Sequence, residues 1–223
     1  MKLGAQHLPL YRSGRSVLDS NLYQTTRRAD GRWDRYESVS NQAGNNGDPE
    51  FFGSRIACAN VNGELHAVIG KNLIIPSDHA LWHTVRHLQP DSNGNNWVPF
   101  DNVIEGGAGF TISANDISKI ACTSVRDLDN VDNLQLLVAV NDRILSTIRL
   151  PQGDQFGNHG SGFEDVTRQT GTKGTIVGLA CAAIASPNLP PGEDLHVIIS
   201  NGSALFHTIG HPGGSPDGSL SKK

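Results

Sequence analysis

A seven-residue phrase recurs four times along this chain: NLYQTTR at 21–27, ALWHTVR at 80–86, RILSTIR at 143–149 and ALFHTIG at 204–210. Its second residues, Leu22, Leu81, Ile144 and Leu205, are spaced by 59, 63 and 61 residues. A repeat at a nearly fixed period means that the fold is built from like modules, each burying a face against its neighbours. No other feature of the chain restricts its architecture as strongly.

Three further columns keep the same beat. WDRYESV at 33–39, WVPFDNV at 97–103 and GSGFEDV at 160–166 align Trp33 and Trp97 with Gly160, and align Tyr36 with Phe100 and Phe163. The triplets IAC, IAC and LAC end at Cys58, Cys122 and Cys181, the chain's 3 cysteines. ELHAVI at 64–69, NLQLLV at 133–138 and DLHVII at 194–199 form the fourth column. Cysteines at equivalent places in successive modules lie too far apart for a disulfide, so small buried core thiols are expected. A metal site shared by the three has no CxxC and no nearby histidine to support it.

Each module therefore holds four short segments in which apolar and polar residues alternate, the signature of a half-buried strand. In LWHTVR, Leu81, His83 and Val85 face one way and Trp82, Thr84 and Arg86 the other. With 25 Gly, 11 Pro and only 37% hydrophobic residues, the composition suits many short strands joined by turns. The expected fold is all-β and propeller-like, with about three four-stranded blades per chain plus an extra strand. Three blades are too few to close a ring, so the ring is expected to be completed by oligomerisation, a symmetric dimer with six blades being the simplest arithmetic. Residues 1–20 read as an N-terminal segment in which 7–18 is a worn copy of LHVIISNGSAL. Residues 21–210 form the repeat domain, and 211–223 a flexible tail.

Several functions are disfavoured. A net charge of −4 carries no basic footprint for nucleic acid. No window holds the apolar run of a membrane span, and the first residues lack that of a secretory signal. Asp127, Asp129 and Asp132 crowd one turn, but the Gly and terminal Glu of a calcium loop are missing. NGS at 201–203 fits a glycosylation acceptor with no secretory signal behind it. GGAGF at 106–110 precedes no helix and reads as a turn. RADGRW at 28–33 and PDSNGNNW at 90–97 only partly match the Asp-containing turn of sialidase propellers. With no GxSxG, HExxH or phosphate loop either, no enzyme and no cofactor are expected.

The phrases ALWHTVR, WVPFDNV and ELHAVI resemble the repeats of bacterial and fungal lectin-like propellers, including the tachylectin-like and fucose-binding families, over roughly residues 21–210. The resemblance implies glycan pockets on one face or between blades, each lined by an aromatic and a few polar side chains. On that basis Tyr23, Arg27, Trp33, Trp82, Arg86, Trp97 and Arg149 are the candidate glycan-binding residues. Gly160 leaves the third module without its tryptophan. Shallow sites repeated on a rigid frame would act through avidity. The same aromatic columns also suit packing between blades, and the arginines could pair with acids of a neighbouring blade. His66 and His196 share a column and suit satisfied sheet residues. A structural or protein-interaction module is thus the alternative function.

Overall fold

A computed structural model describes residues 2–5, 8–12, 15–19, 22–43, 55–70, 81–103, 112, 116–150, 162–171, 174–186 and 191–210, the first three of these segments by their backbone alone. The expected tail 211–223, the glycine run 106–110, Gly160 and the KNLIIPSDH link at 71–79 lie outside them.

The chain is all-β, in small antiparallel sheets. The second sheet shows the module in full: β6 (Arg55–Val61), β7 (Glu64–Gly70), β8 (Leu81–Arg86) and β9 (Asp101–Asn102) pair in that order. The third repeats it with β10 (Ile117–Arg126), β11 (Asp132–Val140), β12 (Arg143–Arg149) and β13 (Glu164–Asp165). The fourth has three strands, β14 (Gly178–Ala185), β15 (Glu193–Ser200) and β16 (Leu205–Gly210). The cysteine, ELHAVI and LWHTVR columns are thus the first, second and third strands of these three sheets. Tight turns make this possible. Between β6 and β7, Asn62 and Gly63 both take positive φ, 53° and 85°, the two-residue turn whose twist matches that of its strands.

The first sheet is assembled differently. β4 (Leu22–Thr25) and β5 (Glu37–Ser38) supply the third and fourth strands, and β1 (Lys2–Ala5) pairs with β4 where β7 pairs with β8. The segment read as a worn repeat copy, 7–18, contains a hairpin of its own, β2 (Leu8–Arg12) with β3 (Arg15–Asp19). Four-residue helical turns, α1 (Val39–Gln42) and α2 (Thr167–Thr170), follow β5 and β13 at equivalent places; strand periodicity gave no sign of them.

The four sheets pack face to face through three apolar seams, with β10 lying beside both β6 and β14. Leu22, Val39 and Ala43 of the first sheet meet Ala67, Ile69, Trp97 and Phe100 of the second. Val61, Val68 and Leu81 of the second meet Ile120, Leu134, Leu136 and Phe163 of the third. Leu137, Ala139, Ile144 and Val166 of the third meet Leu195, Val197 and Ile199 of the fourth. Each sheet therefore has a leading face, turned to the sheet before it, and a trailing face, turned to the sheet after it. Alternation within one strand assigns neighbours to opposite faces: Val68 joins the seam behind and Ile69 the seam in front. No closed ring is formed by the described residues.

Candidate ligand-binding corner

Where the third strand of a sheet ends, its last arginine sits opposite the tryptophan that opens the return to the fourth strand. This bridge occurs twice, as Arg27–Trp33 and Arg86–Trp97. A hydroxyl holds each corner: Thr25 Oγ1 donates to the Asp34 carbonyl at 2.7 Å, and Thr84 Oγ1 to that of Val98 at 2.6 Å. The repeated threonine of the seven-residue phrase is thus the peg that fixes the loop.

The loops themselves are closed by local polar bonds. In the first, Gly31 takes φ +87° and donates to the Arg28 carbonyl at 3.0 Å. Arg28 Nε bonds Asp34 Oδ1 at 2.6 Å, and Arg32 Nη2 lies 2.7 Å from Asp30 Oδ2. The hydrogen bond from the Arg32 side chain holds the Asp30 carboxyl below its ordinary value. In the second, Asp91 Oδ1 accepts from the backbone N–H groups of Asn93 and Asn95, both at 2.8 Å. Those donors, Asn95 first, lower its pKa. Asp91 is a turn cap and has no acid–base assignment.

Burial separates the two corners. Trp33 is 50% exposed and Trp97 only 2%. Trp97 is sealed by the preceding sheet: Val39 and Ala43 pack in the same cluster, and Gln42 Oε1 accepts from the Asn96 N–H at 3.2 Å. A ring so enclosed presents no face to a sugar arriving from solvent. Among the described residues no sheet packs in front of Trp33, which stays open beside exposed Arg27.

The closed corner is polar and incompletely satisfied. Trp97 Nε1, Arg86 Nε and Asn96 Oδ1 are all buried there without a hydrogen-bond partner. Buried polar groups are nearly always paired, and leaving one unpaired costs about 1–3 kcal/mol. Two donors and an acceptor on adjacent residues are a set that hydroxyl groups satisfy.

The remaining expected site residues are spread along the seams. Tyr23 and Trp82 are half-buried in one column, Trp82 packing against the first seam. Phe206, their fourth-sheet equivalent, packs against the third seam. Arg149 is half-buried in the second seam, close enough to His66 and His83 for its charge to disfavour their protonation. The structure therefore brings together Arg27 with Trp33 and Arg86 with Trp97; Trp82 packs against the cluster that holds Trp97, Arg149 lies in the second seam, and Tyr23 is half-buried outside the three seams.

One recurrent polar pair escaped the motif reading, although one member's column was visible. On the trailing face, His66 Nδ1 lies 3.0 Å from His83 Nε2, Gln135 Nε2 donates to Ser146 Oγ at 2.6 Å, and His196 Nδ1 lies 3.0 Å from His207 Nε2. The partners come from the third-strand column, one residue before its threonine. The acidic turn is likewise internally satisfied. Asp127 Oδ1 accepts from the N–H groups of Asp129 and Val131, both at 2.9 Å, and Asp132 pairs with Arg126. All three cysteines are free thiols, and burial pushes those of Cys58 and Cys181 up to about 12. No group of three metal-binding side chains occurs among the described residues, and none of their helices is long and apolar enough to cross a membrane.

Comparisons with protein-family models, with curated proteins and with solved structures find no match to this chain.

Proposed function

We propose that the protein is a non-catalytic glycan-binding module whose sites are the Arg–Trp corners, and that it works as a homo-oligomer in which propeller-like sheets from more than one chain complete a ring. The observation that carries this reading is the open corner. Trp33, half of whose surface is free, stands beside exposed Arg27 and a loop braced by two arginine–carboxylate pairs. A sugar ring has an apolar face for the indole and hydroxyls for the guanidinium and carboxylate groups around it.

The unsatisfied set at the second corner points to the same chemistry. A hydroxyl-rich ligand, or water in its place, would satisfy the indole N–H, the Arg86 Nε–H and the Asn96 carbonyl together. Residues 87–94, all exposed, link Arg86 to this corner, and access would require the α1 turn of the first sheet, which packs on Trp97, to move aside. Weak sites of this kind gain strength when several are presented at once.

A dense glycan array probed with the full chain tests the reading. Binding to a restricted set of sugars is expected, falling by roughly tenfold in Trp33→Ala, the scale of one lost aromatic anchor. An array with no signal at high protein concentration would overturn it. The second reading, a protein-interaction module without sugar binding, is favoured by a separate observation: the apolar face left open on the last sheet.

A further inference from the structure

The trailing faces of the first three sheets show what normally covers this surface. Leu22, Leu81 and Ile144 are 3%, 0% and 0% exposed, and the equivalent Leu205 is 77% exposed. Val68 and Leu137 are both 0% exposed, against 49% for Ile198. Val61 and Val125 are 4% and 2% exposed, against 52% for Ile184. Ile209, whose second-sheet equivalent Val85 is buried, is also open, and the His196–His207 pair is exposed where His66–His83 is buried. Pairing of β14, β15 and β16 puts all of these side chains on one face, because Ala180 lies opposite Ile198, Ile198 opposite His207 and His196 opposite Ile209.

The opposite end of the chain is open in the complementary sense. The leading-face column of the third strand reads Tyr23, Trp82, Leu145 and Phe206. Trp82, Leu145 and Phe206 each pack into the seam in front of their sheet, while Tyr23 belongs to none of the three seams. Tyr36 is 57% exposed where Phe100 and Phe163 are 6% and 1%.

We infer that the trailing face of the fourth sheet, centred on Ile198, Leu205 and Ile209, docks against the leading face of the first sheet of a second copy of this chain, forming a fourth seam like the three internal ones. The occupant follows from the repeat. In every internal case these columns are covered by the leading face of the next sheet, and among the described residues the leading face of the first sheet is the one that no other sheet covers. The contact joins two different surfaces, so it is head-to-tail and propagates until it closes. Among the described residues the fourth sheet has no fourth strand, and no helical turn like α1, which packs on Trp97, follows it. The inference specifies the interface of the oligomer proposed above and needs no glycan.

Sedimentation velocity across a concentration series, without sugar, measures it. Wild type is expected to assemble as concentration rises, and the double variant Ile198→Glu, Leu205→Glu to weaken assembly by roughly tenfold or more, since each lost apolar contact removes about 1 kcal/mol or more. Both positions face solvent, so the variant keeps the circular dichroism spectrum of wild type. Leu88→Glu, exposed and on neither face, should leave assembly unchanged. Hydrogen exchange supplies a second readout: with rising concentration β16 and β4 should gain protection together. A wild type that stays monomeric overturns the inference. So does protection confined to β16, which would mean two trailing faces meeting each other. Assembly without array binding would retain the interface and reject the glycan reading, and array binding by a monomer would do the reverse.

Discussion

His66 and His83 stack with ring centroids 5.2 Å apart, and the Nδ1 of one lies 3.0 Å from the Nε2 of the other, inside the seam between the second and third sheets. Burial is the main reason both resist protonation: His66 is lowered to about 4 and His83 well below its ordinary value. Arg149 adds to the effect on both. On His66, Glu64 opposes it and His87, itself paired with Glu64 Oε1, reinforces it.

A pH dependence follows, with a definite sign. Both imidazoles have folded-state values below the unfolded one near ~6.5, so at intermediate pH the unfolded chain binds more protons. Stability is therefore full above about pH 6.5 and falls as pH drops toward about 4, by on the order of 3 kcal/mol for His66 alone. Denaturant titrations over this range should show the loss in wild type. They should show a flatter profile in His66→Gln, His83→Ser, which installs the uncharged pair of the third sheet, Gln135–Ser146. Equal slopes in both proteins would assign the acid sensitivity elsewhere.

The two tryptophan corners should respond oppositely to truncation. Trp97→Ala opens a cavity in the first seam and is expected to cost about 3–5 kcal/mol of stability. Trp33→Ala should change stability by less than about 1 kcal/mol, because half its surface is already in water. Thermal and urea unfolding of the two variants compares them directly.

Gly94 tests backbone conformation apart from packing. It holds φ +83° in the second corner loop, and a Cβ placed there meets nothing within 4 Å. Gly94→Ala should therefore lower stability by about 1–2 kcal/mol through left-handed strain alone. Gly94→Asn, which tolerates that region, should cost less. Equal costs would indicate that the side chain, and not φ, decides.

Thiol reactivity should be suppressed in the folded chain. Cys122 is raised well above its ordinary value by burial, with smaller contributions from Cys58 and Cys181, and those two reach about 12 for the same main reason. The thiolate is the reacting form, so a disulfide-exchange reagent near pH 8 should label the native protein slowly and all three cysteines promptly in denaturant. Rapid labelling of all three thiols in the native protein would contradict the burial of Cys122 and the raised values of half-buried Cys58 and Cys181.

Much of the fold was legible because the repeat columns and the pairing rule are both local. Leu81, His83 and Val85 alternate against Trp82 and Thr84 in the sequence, and the same alternation sends Leu81 to one seam and Trp82 to the other. The helical turns after β5 and β13 were not legible, since four residues are too few to show a period. Nor was β1's place beside β4, since Lys2–Ala5 belongs to none of the repeat columns. Arg27 with Trp33 and Arg86 with Trp97 meet across a bridge; that pairing was not legible, because two separate columns carry no record of which side chains stand opposite each other.

What the sequence determined by itself is the module: which residues form strands, which side of each strand is apolar, and that these assignments recur. Exposure was decided only by tertiary structure. Trp33 and Trp97 occupy the same column, as do Leu205 and Leu81, yet one of each pair is open and the other sealed. The physical reason is that burial belongs to the neighbour and not to the residue. A column side chain is covered only if another sheet stands on that side of it, and among the described residues none does at the leading face of the first sheet or the trailing face of the fourth.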